Sequence, residues 1–365
     1  MHFRSFVWGG FEGASHRRRD GHRIDSIATS AHDACATADY ALLRSIGIGT
    51  VREALRWHLI EQAPGRYDWS SAHGQLAGAR AAGAEVIWDI CHWGVPQGMD
   101  IMAADWPGRL ARFAVAAARW LHAEGVPVAG WVPVNEISFW AWAGGEKGHF
   151  EPYLQDQGSA LKRQLVRAHL AVTRALRDAG FHEPIMLAEP LIWVLPRDGT
   201  PEAAQRARNL MEGSFEAVEM ILREDPTAVD IVGLNHYPHN QWFEGAEQVS
   251  SADPRYRTLR HLLSDVEARF RLPMALTETG AEEPRGDAWL AYVGNELAAA
   301  AEDGIALQGA CIYPVMDYSG WDNERHCPCG PIGRKGSDRF LRPGQSAAIR
   351  RLLGQGVAAR GGAPL

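Results

Sequence analysis

Short runs of β-branched and aromatic residues alternate with longer Ala/Leu/Arg-rich stretches of helical period along nearly the whole chain, and the alternation completes eight rounds. The strand-like runs are "SFVWGGFE" from Ser5, "GTVREALRW" from Gly49, "EVIWDICHW" from Glu85, "VAGWVPVNE" from Val128, "PIMLAEP" from Pro184, "VDIVGLNHY" from Val229, "MALTETG" from Met274 and "GACIYPVMDY" from Gly309. Several are apolar at consecutive positions, as strands buried on both faces are. Between them lie amphipathic helices such as "WPGRLARFAVAAARWLHAEG" from Trp106 and "LKRQLVRAHLAVTRALRDAG" from Leu161, each closed by a glycine suited to a left-handed cap. Eight strand-helix rounds without a Pro/Ser-rich linker or a shift in composition predict an α/β fold, a (β/α)8 TIM barrel, as a single domain over residues 1–365. The rival, a doubly wound sheet, wants a G-x-G-x-x-G turn after its first strand, and "WGGFEGASH" has glycines at other spacings. Insertions are expected at 12–33, 137–160, 238–253 and 319–342, each following a strand.

A barrel of this kind works at the C-terminal ends of its strands, so the polar residues that end each run are the candidates for chemistry. The second run carries Arg52, the third ends at His92-Trp93, and the fourth at Asn135-Glu136. The fifth ends at Glu189, the sixth at Asn235-His236-Tyr237, the seventh at Glu278, and the eighth near Asp317 and Trp321. A lone Glu in such a place is ordinarily a solvated loop residue or a helix N-terminal carboxylate. Two of them, Glu136 and Glu278, on runs that face each other across a barrel mouth, suit glycoside hydrolysis: one carboxyl donates a proton to the leaving oxygen while the other attacks or stabilises the sugar carbon. Arg52 and Tyr237 would keep Glu278 ionised, and Asn135 is an uncharged donor beside the acid. Trp57, Trp93, Trp140, Trp142, Trp242 and Trp321 fall at or just past strand ends, where indole faces can stack on a pyranose, while Trp88, Trp120 and Trp131 read as helix-to-barrel packing. Glu189 is open between a loop cap and a third carboxylate on the substrate side, with the latter preferred.

Composition narrows the partners. A formal charge of -7 describes an ordinary surface with no basic field for nucleic acid, and Arg17-Arg18-Arg19, followed at once by Asp20, reads as a solvated loop. No segment approaches a membrane span, and the N-terminus lacks the charged, apolar and small-residue regions of a signal peptide. Five cysteines, an odd number in a long chain, argue against a disulfide framework and for a reducing compartment, so a cytoplasmic location is expected. In "ERHCPCG", His326, Cys327 and Cys329 lie close together, but C-x-C lacks the usual zinc-ligand spacing, and a shaped substrate loop is the preferred reading.

These residues resemble the clan A glycoside hydrolases, most nearly family 1, the β-glucosidase family. "REALRW" is similar to that family's R-F-S-I-S-W, "HWGVPQ" to H-W-D-L-P-Q, "VNEIS" to the N-E-P of the acid/base strand, "VGLNHYPH" to G-L-N-Y-Y-T, and "LTETG" to the T-E-N-G of the nucleophile strand. The matches run in order from about Trp8 to Trp321. The resemblance implies that Glu136 is the general acid/base and Glu278 the nucleophile, with retention of configuration and without a metal or organic cofactor. It also implies that Arg52 and Tyr237 support the nucleophile, and that His92, Asn135 and Asn235 contact sugar hydroxyls or the catalytic pair. Trp93 and Trp321 join them as expected substrate contacts. Two departures stand out: Gly10 falls where the family has a sugar-gripping Gln, and in "YPVMDYSGW" Tyr313 stands for the platform Trp and Gly320 for the Glu that binds the outer hydroxyls. Glu12, Asp317 or Tyr318 is expected to supply replacement contacts.

The expectation is therefore a retaining β-glycosidase acting on a small glycoside or short oligosaccharide, with a carbohydrate as its partner and no nucleic acid or membrane. Two alternatives stay open. One is a catalytically weak sugar-binding barrel, and the other a metal-dependent barrel hydrolase using His92, His236, His239 and a carboxylate.

Overall fold

In the computed structural model, which describes residues 3–245, 247–321 and 323–359, all eight predicted runs contribute to one parallel sheet. Its strands are β1 (Val7–Gly10), β2 (Thr50–Ala54), β3 (Glu85–Asp89), β4 (Val128–Val132), β5 (Glu189–Pro190), β6 (Val232–Asn235), β7 (Met274–Thr279) and β8 (Leu307–Ile312). Their order is β4-β3-β2-β1-β8-β7-β6-β5. Parallel bridges from Trp131 to Ile185 and from Met186 to Ile231 lay the fifth run against both of its neighbours and close the ring. The helices α1 (His32–Ser45), α2 (His73–Ala82), α3 (Trp106–Glu124), α4 (Gly158–Asp178), α5 (Pro201–Glu224), α6 (Leu259–Phe270), α7 (Gly286–Glu302) and α8 (Pro343–Ala359) follow the strands in turn, the alternation of a (β/α)8 barrel. Local sequence marks several ends. Gly125 closes α3 at φ 71° and Gly180 follows α4 at φ 86°, while Thr200 caps α5 by accepting the Ala203 N–H, with Pro201 in the first helical position.

Strand alternation sorts the side chains into two cores. Inside the barrel, Trp8, Ile87, Val132, Met186, Ala188, Ile231, Ala275 and Cys311 pack on one another. Their chain neighbours Val7, Val86, Trp88 and Trp131 face outward into the larger layer between sheet and helices. Arg52 and Glu53 follow the same rule and so belong to different worlds. Arg52 points into the barrel, whereas Glu53 joins a polar cluster under α1: it accepts bonds from His32 Nε2 (2.9 Å), Tyr40 OH (2.9 Å) and Gln75 Nε2 (2.6 Å). His32 Nδ1 meets Asp39 at 2.9 Å, and Arg339 donates to Asp39 at 2.7 Å. Burial disfavours the His32 cation, but Glu53 and Asp39 outweigh it and lift its pKa to about 9.

The long connections gather at the C-terminal ends of the strands, where the insertions were expected. After β4 a short helix, Ile137–Trp140, runs into a π-helical turn, Ala141–Glu146. After β5 and β6, Trp193–Leu195 pairs in parallel with Gln241–Phe243. After β8, Tyr318–Ser319 pairs with His326–Cys327, and Ile332–Lys335 with Asp338–Leu341. Among the described residues no helix is long and apolar enough to cross a membrane.

Candidate active site

Arg52 is the hub of the barrel mouth. It is buried, and its Nε and Nη2 donate to the two oxygens of Asp89 at 2.9 and 2.8 Å, Nη1 to Glu278 Oε1 at 2.8 Å, and Nη2 also to Asn135 Oδ1 at 2.7 Å. Such a bidentate pairing satisfies a planar guanidinium in a place without water. The bond to Oδ1 fixes the Asn135 amide, whose Nδ2 then faces His92 Nε2 at 2.9 Å. Nε2 is therefore the acceptor, and Nδ1 carries the proton toward Asp89 Oδ2 at 2.9 Å. Burial works against ionising Asp89, yet Arg52 and the His92 bond prevail and hold its carboxyl below the usual range.

The two Glu residues have different surroundings. Glu278 takes Arg52 on one oxygen and the Tyr237 hydroxyl on the other, at 2.7 Å, the environment of an acceptor-only carboxylate. Glu136 takes a single bond, from Asn235 Nδ2 to Oε1 at 2.9 Å. Thr277 donates to Asn235 Oδ1 at 2.8 Å and so fixes which end of that amide meets the acid. Burial and then the negative charge of Glu278 raise the Glu136 pKa well above its ordinary value, against the Asn235 bond. The two carboxyl groups thus differ in their donors and in the charge around them, a difference that a division into proton donor and nucleophile requires.

Backbone strain accompanies this arrangement. Glu136 sits at φ 43° and Trp93 at φ 66°, left-handed values that cost a non-glycine residue on the order of 1–3 kcal/mol each. Surrounding bonds hold both in place: Glu136 N–H donates to Ala188 O at 2.9 Å, and Trp93 Nε1 to Asn135 O at 2.9 Å.

Both acids line a cavity of about 870 Å³ that also takes in Glu12, His92, Tyr237 and Tyr313. Aromatic side chains form much of its wall: Trp93, Phe139, Trp142, Trp242 and Trp321 all line it, and the Trp93 and Trp321 rings meet edge to face at 5.0 Å. Trp142 is 45% exposed at its rim. Gly10 is explained by Tyr313. A Cβ there would overlap the Tyr313 ring and the Cys311 sulfur, so the tyrosine occupies the space a side chain at position 10 would need. Tyr313 OH in turn accepts the Gly13 N–H at 3.0 Å.

Several expectations change. Asp317 is not among the residues lining the cavity: its oxygens accept from Arg342 Nη2 (2.7 Å), Cys329 N (3.0 Å) and Arg334 N (2.8 Å), which ties the loop after β8 to its own base. Glu189 is a cap, not a substrate-side group, because its two oxygens accept the Ile137 and Ser138 N–H groups at 2.6 and 3.0 Å just past Glu136. Burial still pushes its pKa up to about 7. Trp57 and Trp140 point into the outer core instead of the cavity: Trp57 stacks on Phe113 at 5.3 Å, and Trp140 donates to Glu151 O at 2.7 Å. Cys327, Cys329 and Tyr318 line the cavity as part of the loop after β8, and among the described residues no group of three or more His, Cys, Asp or Glu is arranged to hold a metal ion. His236 Nδ1 bonds Leu191 O at 2.9 Å, whereas His239 lines the cavity. The reading of the sequence missed Asp89 and Thr277. Asp89 gave the same signal as Arg52, a charge inside an apolar run.

Strand order and the alternating helices define a (β/α)8 barrel. The solved structures it resembles include family 1 β-glucosidases. The family 1 β-glucosidase of Thermotoga maritima superimposes with a TM-score of 0.77 at 15% identity, covering 97% of this chain and 100% of that one. A rice β-glucosidase mutant, described as in a covalent complex with Glc, gives 0.77 at 15%, covering 96% and 98%. The AHE enzyme of Alicyclobacillus herbarius gives 0.77 at 15%, covering 97% and 100%. No protein-family model matches the chain, and no curated protein does. At this identity the likeness establishes the shared fold, and the chemistry is argued from the side chains.

Proposed function

We propose that the chain is a single catalytic domain and a retaining β-glycosidase that cleaves a small glycoside or short oligosaccharide by double displacement. The observation that carries this reading is the unequal treatment of two buried carboxyl groups on one cavity: Glu278 is held by two donors, and Glu136, with a single donor, is pushed upward in pKa by burial and by the charge of Glu278. Glu136 donates its proton to the glycosidic oxygen as Glu278 attacks the anomeric carbon, which leaves the aglycone free and the sugar joined to Glu278 through an ester bond. Loss of that proton leaves Glu136 as the base that takes a proton from water, and the water releases the sugar with its original configuration. Tyr237 and Arg52 orient the attacking carboxylate, and Asn235 orients the acid. The Trp93 and Trp321 faces and Glu12 bound the sugar, while Phe139, Trp142 and Trp242 provide an apolar rim for the aglycone.

The likeness to β-glucosidase structures supports the sugar class. The test is chemical trapping: a 2-deoxy-2-fluoro aryl β-glycoside should add one fluorosugar to the protein, on the peptide that contains Glu278. Label on another residue, or turnover with inverted product, contradicts the mechanism.

Gly320, which leaves one wall of the cavity without a side chain, and Tyr313, which fills the space of any side chain at Gly10, favour one second reading, a sugar-binding barrel with little turnover. In that case product sugars bind, and Glu136→Gln removes no activity because there is none to remove.

A further inference from the structure

The cavity holds one buried acidic group that takes no part in the proton transfer or the nucleophilic attack described above. Glu12, two residues past β1, is 6% exposed and lines the same space as Glu136 and Glu278. Its Oε1 accepts the Ala14 N–H at 3.0 Å and lies 3.9 Å from His92 Nε2, and no hydrogen bond from the described residues reaches its Oε2. The polar groups around it are already committed: His92 to Asp89 and Asn135, Glu278 to Arg52 and Tyr237. Tyr313 fills the place of any side chain at Gly10, so Glu12 is the polar group that β1 sends to the sugar.

Resting on the glycosidase reading, we propose that Glu12 is a specificity-determining residue that grips sugar hydroxyls on the β1 side of the cavity through Oε2, and that its carboxylate form is the tighter binder. An ionised carboxyl accepts two hydroxyl donors, and charge-assisted bonds are the stronger kind, whereas the protonated group offers one donor and a weaker acceptor. Its charge state is adjustable where the enzyme works. Burial lifts its pKa to about 7, with the Ala14 bond and the Arg52 charge opposing and the Glu278 charge reinforcing. Tyr313, Tyr318 and Cys327 are the other titratable groups in its field, and burial moves all three upward, away from neutrality. Sugar affinity therefore gains a pH dependence separate from that of the proton transfer by Glu136.

The experiment is kcat and KM between about pH 5.5 and about pH 8.5 for the best substrate in an aryl β-glycoside panel, with wild type, Glu12→Gln and Glu12→Ala, each checked for folding by circular dichroism. Wild-type KM should fall by about tenfold as pH rises through neutrality. The Gln variant keeps a hydrogen-bonding head that does not titrate, so its KM should be flat. The Ala variant should show KM raised at least about tenfold, with most of the loss in KM and not in kcat. A Gln variant that retains the wild-type step, or an Ala variant with wild-type KM, overturns the proposal. Glu278→Ala, run alongside, tests the parent reading separately. If wild type binds product monosaccharides by calorimetry without turnover, the glycosidase reading falls and the same three proteins are compared by Kd. If it neither turns over nor binds, both ideas fall.

Discussion

Two buried ionic clusters share one strand. Arg52 faces the barrel interior and its neighbour Glu53 faces the helices, and what they meet differs in a telling way. The outer cluster closes on itself: Glu53 and Asp39 are matched by His32, Tyr40, Gln75 and Arg339, with a bond on every carboxyl oxygen. The inner cluster does not close. Arg52 faces Glu12, Asp89, Glu136 and Glu278, and hydrogen bonds from the described residues reach one oxygen each of Glu12 and Glu136. Burying polar groups without matching partners costs free energy, so a fold that keeps such groups at a cavity is holding them for a ligand. Completed pairing is what a structural cluster needs, and incomplete pairing is what the proposed active site would need.

The sharpest way to break the comparison is Glu136→Gln, which leaves the shape of the inner cluster and removes its proton donor. Turnover of glycosides with poor leaving groups should drop by about 10²–10⁴, with less loss for activated aryl groups that need no proton; steady-state kinetics on paired substrates checks this. Next comes Arg52→Met, which strips the hub from Asp89 and Glu278. Urea unfolding should show a loss of about 3–5 kcal/mol, with turnover abolished as well. His32→Leu makes the matching change in the outer cluster. It should lower stability by a similar amount, about 3 kcal/mol, while kcat/KM of the folded protein stays within about threefold. A pH series separates the clusters further. Because the folded His32 pKa is raised from its ordinary 6.5 to about 9, its stabilisation is fully present below about pH 6.5 and is lost as pH rises through about 9. Unfolding midpoints should fall across that window, and in His32→Leu this component should vanish. The smallest effect expected is at the rim, where Trp142→Ala should raise KM for aryl glycosides by a few fold, about 1 kcal/mol, and leave smaller aglycones unaffected.

Much of this was legible in one dimension because a barrel places its chemistry where apolar runs stop. Arg52, Asn135, Glu136, Asn235, Tyr237 and Glu278 each end or interrupt such a run, and each lies at the barrel mouth. Asp89 gave the same signal, but the His92-Trp93 pair three residues later drew the reading past it. What sequence position does not convey is how many of a group's hydrogen-bond valences are already used. Asp317 looked like a substrate contact until Arg342, 25 positions downstream, was seen to hold it. Glu189 likewise meets amides that arrive 52 and 51 positions earlier in the chain. The direction of an indole past a strand end is equally hidden, which is why Trp57 and Trp140 went to the outer core while Trp93, Trp142, Trp242 and Trp321 reached the cavity. Strand β5 is the least regular of the eight. Only Glu189–Pro190 pairs as a named strand, and Pro184 and Pro190 lack the N–H groups that a longer ladder needs.

The most direct test of the account is hydrolysis of aryl β-glucoside, galactoside, fucoside, xyloside, mannoside and glucuronide by wild type and by Glu278→Ala, with and without azide. The account predicts turnover of at least one member by wild type, its loss in the variant, and recovery with azide as a glycosyl azide of inverted configuration. Wild-type activity that survives in Glu278→Ala without azide would contradict it.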